Sequence, residues 1–148
     1  MSSATGVRDV AGSRADVWRA VAVLRPYCPT CDVSYVVTGS GRGSTFVAVP
    51  GRLDGPPPDG APRGEIVEWV PKRLVATRLE LTQETWTTRI ELADAPDGGT
   101  RVTMTVTHEP RAGRLLRRLQ GRAARDLVRR TVESELDKIP AHLADPAD

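Results

Sequence analysis

The sequence predicts an α+β fold in which a curved antiparallel sheet of about seven strands wraps around a long C-terminal helix. Apolar and polar residues alternate with a period of two through most of residues 64–110, a pattern typical of consecutive antiparallel strands. The last third of the chain instead places apolar residues at helical spacing. Such strands and such a helix bury their apolar surfaces against each other. The curvature of the sheet then leaves a cavity between the sheet and the helix.

The first third of the chain predicts one strand, one helix and two further strands. Residues 5–10 indicate a short strand, and residues 14–24 indicate a helix whose start carries a serine and an aspartate at capping distance. Residues 27–32 are expected to form an irregular link. Val33–Thr38 and residues 45–49 are rich in β-branched residues and are joined by a glycine-rich turn, which predicts two strands.

A tract rich in proline and glycine, residues 51–64, is expected to be a mobile loop. Neither flank of this loop could fold alone, so we expect one domain over residues 1–148. A chain of 148 residues is long enough for such a domain to bury roughly 70% of its unfolded surface.

Period-two alternation also assigns the inward face of the last three strands, whose outward positions are polar. In residues 65–70 the pattern does not decide which side chains face inward, because either Ile66 and Val70 or Val67 and Trp69 could form the apolar face. With one tyrosine from an earlier strand, the inward residues would form the wall of a cavity: Tyr35, Thr77, Leu79, Trp86, Thr88, Ile90, Met104, Val106 and His108.

The end of the chain predicts a helix of about six turns that begins near Gly121 and ends near Leu143. A short helical segment from residue 113 is expected to precede it, with a bend near Gly121, because Leu115, Leu116 and Leu119 lie at a different azimuth. The residues beyond Leu143 are expected to fray. One face of the long helix is apolar and carries Ala124, Val128, Val132, Leu136, Ile139 and Leu143.

Composition narrows the classes of partner. No run approaches the roughly 18 apolar residues of a membrane span, and the first residues lack the apolar core of a secretory signal. We therefore expect a cytoplasmic protein without stable membrane insertion. Eight arginines between residues 111 and 130 could meet nucleic acid or an anionic membrane surface, but the nearby Asp126, Glu133 and Glu135 favour a solvated helix face. With few aromatic residues for base stacking, no nucleic-acid partner is expected.

Four short motifs occur in order along the chain: ADVW at 15–18, GEIVEWVPKRLV at 64–75, GGTRV at 98–102 and GRLL at 113–116. They resemble the START-like, birch-pollen-allergen-like superfamily, also called SRPBCC, and most closely its polyketide cyclase/dehydrase branch. The resemblance implies a helix-grip fold. The superfamily includes lipid carriers, cyclases and dehydratases, and no catalytic signature transfers residue by residue. The loop at 51–64 is longer than the resemblance implies.

The resemblance and the predicted cavity together imply binding of a small hydrophobic molecule, such as a lipid, a polyketide or an aromatic metabolite, without a cofactor. Tyr35, Thr77, Thr88 and His108 would orient it. The alternative is an aromatase/cyclase or dehydratase in which His108 is the general acid and base. In a plainer interpretation, His108 forms a hydrogen bond with a loop carbonyl and Trp86 packs in the core.

The sharpest local motif is CPTC at residues 28–31. A CxxC motif supports thiol exchange when it opens a helix after a strand, whereas this one follows a helix and precedes a strand. A zinc site would need His108 and His142 as further ligands, and their spacing predicts no compact site. We therefore expect two ordinary thiols near the surface and no metal.

Overall fold

The computed structural model describes residues 1–111 and 121–145, and its strands form one antiparallel sheet. The sheet has eight strands in the order β1-β8-β7-β6-β5-β4-β3-β2. The strands are β1 (Ser2–Val10), β2 (Tyr27–Cys28), β3 (Val33–Thr38), β4 (Thr45–Pro50), β5 (Arg63–Val70), β6 (Leu74–Glu80), β7 (Glu84–Asp94) and β8 (Thr100–Pro110). The helices are α1 (Arg14–Val21), α2 (Gly121–Asp137) and α3 (Ile139–Ala144).

The α+β helix-grip fold is confirmed, with eight strands instead of about seven. The additional strand, β2, lies in the segment predicted to be an irregular link. It is only two residues long, too short for any alternation to reveal it. β1 also begins three residues earlier than predicted, and α1 ends three residues earlier, at Val21.

The inward face predicted for β6, β7 and β8 is confirmed by their register. Residues that lie directly opposite each other in an antiparallel pair share one face of the sheet. Three such rows cross these strands on the inner face: Leu79–Trp86–His108, Thr77–Thr88–Val106 and Val75–Ile90–Met104.

A β-bulge explains why the sequence pattern did not decide which residues of β5 face inward. The register shifts between Ile66 and Glu68, so Ile66 lies opposite Thr77 while Trp69 lies opposite Val75. The extra residue changes the parity along the strand, and Ile66 and Trp69 both contribute to the core. The Trp69 ring packs edge-on against Trp18 of α1, with ring centroids 4.9 Å apart.

The predicted apolar face of the C-terminal helix is confirmed, and its residues Val128, Val132, Leu136 and Ile139 are all buried. The predicted single helix is divided at Lys138 into α2 and α3. Pro140 explains the division, because proline is tolerated in the first turn of a helix but not in its interior.

The predicted segment around Leu115, Leu116 and Leu119, its bend and the end of the tail lie outside the described residues. So do three of the eight arginines, Arg114, Arg117 and Arg118. In α2, Arg129 pairs with Asp126 at 3.5 Å and with Glu133 at 3.7 Å, as the charge pattern predicted.

The helices cover the inner face from two sides. α2 lies against β1 and β8, and α1 contacts β7 and α3. The approach of α2 is close at Gly6, where an added Cβ atom would lie 2.6 Å from Cγ1 of Val132. Within residues 1–111 and 121–145, no helix has both the length and the apolar character needed to cross a membrane.

Candidate functional site

A small cavity lies between the sheet and the C-terminal helices. Its volume is about 120 Å³. Tyr35, Ile90 and Met104 line it from the sheet, and Ile139 lines it from α3. An apolar cavity of about 150 Å³ accommodates one benzene ring, so this space fits no more than a ring-sized group.

A larger cleft adjoins this cavity. It has a volume of about 750 Å³ and lies between α1, the segment that follows α1, and α3. Val23, on this cleft, is 45% exposed, a large value for an apolar side chain. The cavity and the cleft share five lining residues, Ala20, Val23, Leu24, Arg25 and His142. Three of these five residues, Ala20, Val23 and Leu24, are apolar, so the cleft and the cavity are adjacent and share an apolar wall.

A carboxylate–imidazole pair lies at another position on the inner face. Nε2 of His108 donates a hydrogen bond to Oε2 of Glu84, with 2.6 Å between the two atoms. The Trp86 ring packs against His108, with centroids 4.7 Å apart. His108 is only 6% exposed, and within the described part of the chain its Nδ1 atom is buried and has no hydrogen-bond partner.

The hydrogen bonds around Glu84 favour its ionised form. The bond from His108 holds the pKa of Glu84 below its usual value, and a hydrogen bond from Trp86 acts in the same direction. An ionised carboxylate only accepts, so Nε2 of His108 carries the proton and a neutral ring presents a lone pair at Nδ1. Such a pair can exchange a proton with a group that reaches Nδ1.

A second polar cluster joins the two cysteines to a histidine. Sγ of Cys28 lies 3.7 Å from Nδ1 of His142, and Sγ of Cys31 lies 3.7 Å from Nε2 of the same ring. Cys28 is buried, and Cys31 and His142 are partly buried. Burial raises the pKa of Cys31 and lowers the pKa of His142, so the neutral forms are favoured.

This cluster corrects the expectation that the cysteines form no compact site. His142 of α3 packs beside β2, although it is more than a hundred residues away in sequence. His108, the other histidine that a zinc site seemed to require, instead pairs with Glu84. The description of both thiols as lying near the surface is also wrong for Cys28, which is 8% exposed.

The nine residues predicted to line one cavity are distributed over four environments. Tyr35, Ile90 and Met104 line the cavity. Trp86 and His108 belong to the pair with Glu84, and Val106 is 1% exposed within the core. The remaining three are partly exposed on the inner face and line neither the cavity nor the cleft: Thr77, Leu79 and Thr88.

Burial raises the pKa of Tyr35 to about 12, so its hydroxyl stays protonated and can donate to a ligand. For His108, the plain interpretation of a bond to a loop carbonyl is wrong, because the partner is the carboxylate of Glu84.

A sequence model of the family described as polyketide cyclase/dehydrase and lipid transport matches residues 1–144. The chain belongs to this family. The membership implied by the sequence resemblance is thereby confirmed, and the description of the family includes lipid transport. A search of the curated proteins found no match.

Several solved structures share the family's fold. A protein of unknown function from Staphylococcus aureus is 13% identical, with 96% of this chain and 93% of that chain covered and a TM-score of 0.69. A protein from Thermus thermophilus is 18% identical, with 96% and 97% covered and a TM-score of 0.69. Ara h 8.0201 is 15% identical, with 95% and 93% covered and a TM-score of 0.64. At these identities the similarity concerns the fold.

Sequence reasoning missed Glu84 and the contact of His142 with the cysteines. A signal for Glu84 existed, since it precedes Trp86 by two residues and therefore shares its face of β7. For His142 we find no local signal. Its position depends on how α3 packs against α1 and β2.

Proposed function

We propose that this member of the family binds one small hydrophobic molecule, with an apolar end in the cavity and the remainder in the cleft. The observation that supports the proposal is the shared lining of the two spaces, which would allow a ligand longer than one ring to extend from one space into the other. Burial of apolar ligand surface would drive binding at about 25 cal/mol per Å², before ordering costs are subtracted. A lipid, a polyketide or an aromatic metabolite meets this description.

The proposal is tested by filling the cavity. Ala20 lines both the cavity and the cleft, so Ala20→Phe should occupy the path between them. We expect this variant to bind an environment-sensitive apolar dye at least about tenfold more weakly than the wild type. Native mass spectrometry should also detect less of any molecule that co-purifies.

Ala93→Phe provides the matched control, because Ala93 is exposed on β7 and lines neither space. This variant should bind the dye as the wild type does. Circular dichroism establishes that both variants are folded. Equal dye binding by the two phenylalanine variants would exclude the cavity as the binding site.

A second candidate function is acid–base catalysis at Glu84 and His108, as in an aromatase/cyclase or a dehydratase. It is favoured by one observation, the buried Nδ1 atom of a histidine whose other nitrogen donates to a carboxylate. In a dehydration, Nδ1 would take the proton from the carbon next to a carbonyl, and the leaving hydroxyl would receive that proton and depart as water. The substrate would first have to displace the atoms that cover Nδ1.

A turnover assay distinguishes the catalytic function from the binding function. A β-hydroxy or poly-β-keto thioester is incubated with the protein, and loss of water is followed by mass spectrometry. The catalytic function predicts turnover by the wild type and loss of at least about a hundredfold in His108→Gln. Dye binding in the cleft should change little in this variant. Absence of turnover by the wild type would rule against the catalytic candidate and leave the binding proposal intact.

A further inference from the structure

We propose that Cys28, Cys31 and His142 form a zinc-binding site. Thiolate sulfur and imidazole nitrogen are the ligands that zinc prefers in proteins. The ligand atoms of these three residues all lie within 4.8 Å of one another. They are the one group of three or more histidine, cysteine or acidic residues with this geometry in residues 1–111 and 121–145.

The observed distances are close to those that the ion requires. Zinc bonds of about 2.3 Å to sulfur and about 2.0 Å to nitrogen, in tetrahedral geometry, place ligand atoms roughly 3.5–3.8 Å apart. The two contacts between sulfur and nitrogen are each 3.7 Å, and they involve different nitrogens of the ring: Cys28 lies beside Nδ1 and Cys31 lies beside Nε2. A single ion would bind one of these nitrogens, and with one ligand atom from each residue the three atoms lie within 4.8 Å of one another.

The backbone holds the two sulfur ligands in place. Cys28 ends β2, and Cys31 lies in the turn that leads to β3, with Cys28 opposite Val33 in the register. Two cysteines separated by two residues in a tight turn are a recurrent half of zinc sites. The short strand β2, which the sequence did not predict, therefore has a role in positioning them.

Asp145 is placed to orient the imidazole. Its Oδ2 atom lies 3.9 Å from Nδ1 of His142 and accepts a hydrogen bond of 2.8 Å from Thr30. If Nε2 binds the ion, a small rotation of the ring would bring Nδ1 within hydrogen-bond distance of Asp145, an arrangement that fixes metal-binding histidines. Three protein ligands leave a fourth position, and all three residues also line the cavity.

The site is tested with the purified full chain, kept reduced and stripped of metal with a chelator. Added Zn²⁺ should bind with a stoichiometry of about one per chain, measured by elemental analysis after gel filtration. Co²⁺ in its place should give the absorption of thiolate-to-cobalt charge transfer. Thermal denaturation should shift to higher temperature as the Zn²⁺ concentration rises.

Cys31→Ser and His142→Gln should each weaken Zn²⁺ binding by at least about tenfold. His108→Gln is the matched control, because it changes the other histidine and should leave Zn²⁺ binding unchanged. Circular dichroism without metal establishes that each variant is folded. The proposal is overturned if the reduced wild type binds no Zn²⁺, if the ligand variants bind it as tightly as the wild type, or if the thiols only form a disulfide. No hydrophobic probe is present, so the result is independent of the proposed ligand binding.

Discussion

The aromatic ring of Phe46 occupies the space that any side chain on Gly64 would need. The two residues lie directly opposite each other on β4 and β5. An added Cβ atom on Gly64 would lie 2.6 Å from Cε2 of Phe46, well inside van der Waals contact. Phe46 is 6% exposed and packs edge-on against Tyr35, with ring centroids 6.0 Å apart. A glycine is therefore required at position 64 if this ring is to pack beside the cavity wall.

Gly64→Ala should destabilise the protein by about 1–3 kcal/mol, because the methyl group forces Phe46 away from its packed position. Chemical denaturation measures the change in the free energy of unfolding. Phe46→Leu combined with Gly64→Ala should recover part of the loss, since the smaller side chain leaves room for the methyl group. Gly121→Ala is the control, because among the described residues its added Cβ atom would meet only Arg125, at 3.9 Å, and should not destabilise. A Gly64→Ala protein as stable as the wild type would contradict the close contact.

Ile139→Ala should enlarge the cavity at a cost to stability. Ile139 is 1% exposed and lines the cavity, so the truncation is expected to cost about 2–5 kcal/mol in the free energy of unfolding. The variant should also bind bicyclic apolar probes more tightly than the wild type does, as measured by fluorescence titration. Leu127→Ala, at a side chain 40% exposed on α2, should change stability by less than about 1 kcal/mol and leave probe binding unchanged. Unchanged probe binding in Ile139→Ala would show that ligands bind elsewhere.

Glu84→Gln should make the protein less sensitive to acid. The folded state lowers the pKa of Glu84 below the ordinary value of 4.5, so its ionised form contributes stability above that pH. This contribution is lost as the pH falls through the lower folded-state pKa, and glutamine has no such titration. The difference in the free energy of unfolding between the wild type and the variant should thus be largest at about pH 7 and decrease toward about pH 3. Urea denaturation at several pH values measures it.

Glu109→Gln is the matched control for this pH dependence. Glu109 is exposed on β8 in the same part of the sheet. The free energy of unfolding of Glu109→Gln should differ from that of the wild type by a nearly constant amount across the pH range. A constant difference between the wild type and Glu84→Gln would mean that the contact with His108 does not depend on the charge of Glu84.

Ser34→Ala should release the start of the proline-rich loop. Ser34 is 2% exposed, donates a hydrogen bond of 2.7 Å to the carbonyl of Gly51, and accepts one of 3.0 Å from the amide of Leu53. Removal of the hydroxyl leaves both backbone groups without this partner, which should lower the free energy of unfolding by about 1–3 kcal/mol. Limited proteolysis should cut residues 51–62 faster in the variant than in Ser40→Ala, which changes an exposed serine. Equal cleavage rates would show that Ser34 does not anchor the loop.

Local patterns determined much of the fold. The alternation in β6, β7 and β8 predicted which residues face inward, because side chains in a strand point to opposite faces by geometry alone. The helical spacing of Val128, Val132 and Leu136 likewise predicted the buried side of α2. The capping serine at residue 13 marked the start of α1, where its hydroxyl accepts from the amide of Asp16. These features depend only on neighbours within a few residues.

Only the tertiary structure decided how the inward residues are used. Whether a residue on the inner face lines a cavity, as Met104 does, or is closed within the core, as Val106 is, depends on which helix covers it. The bulge in β5 likewise depends on a shift of one residue against its partner strand, which the pattern of either strand alone does not contain. The contact of His142 with Cys28 arises because α3 packs against α1 and brings His142 beside β2. A pattern with a period of two or 3.6 residues describes the face of one element, whereas such a site requires elements that are distant in sequence to pack together.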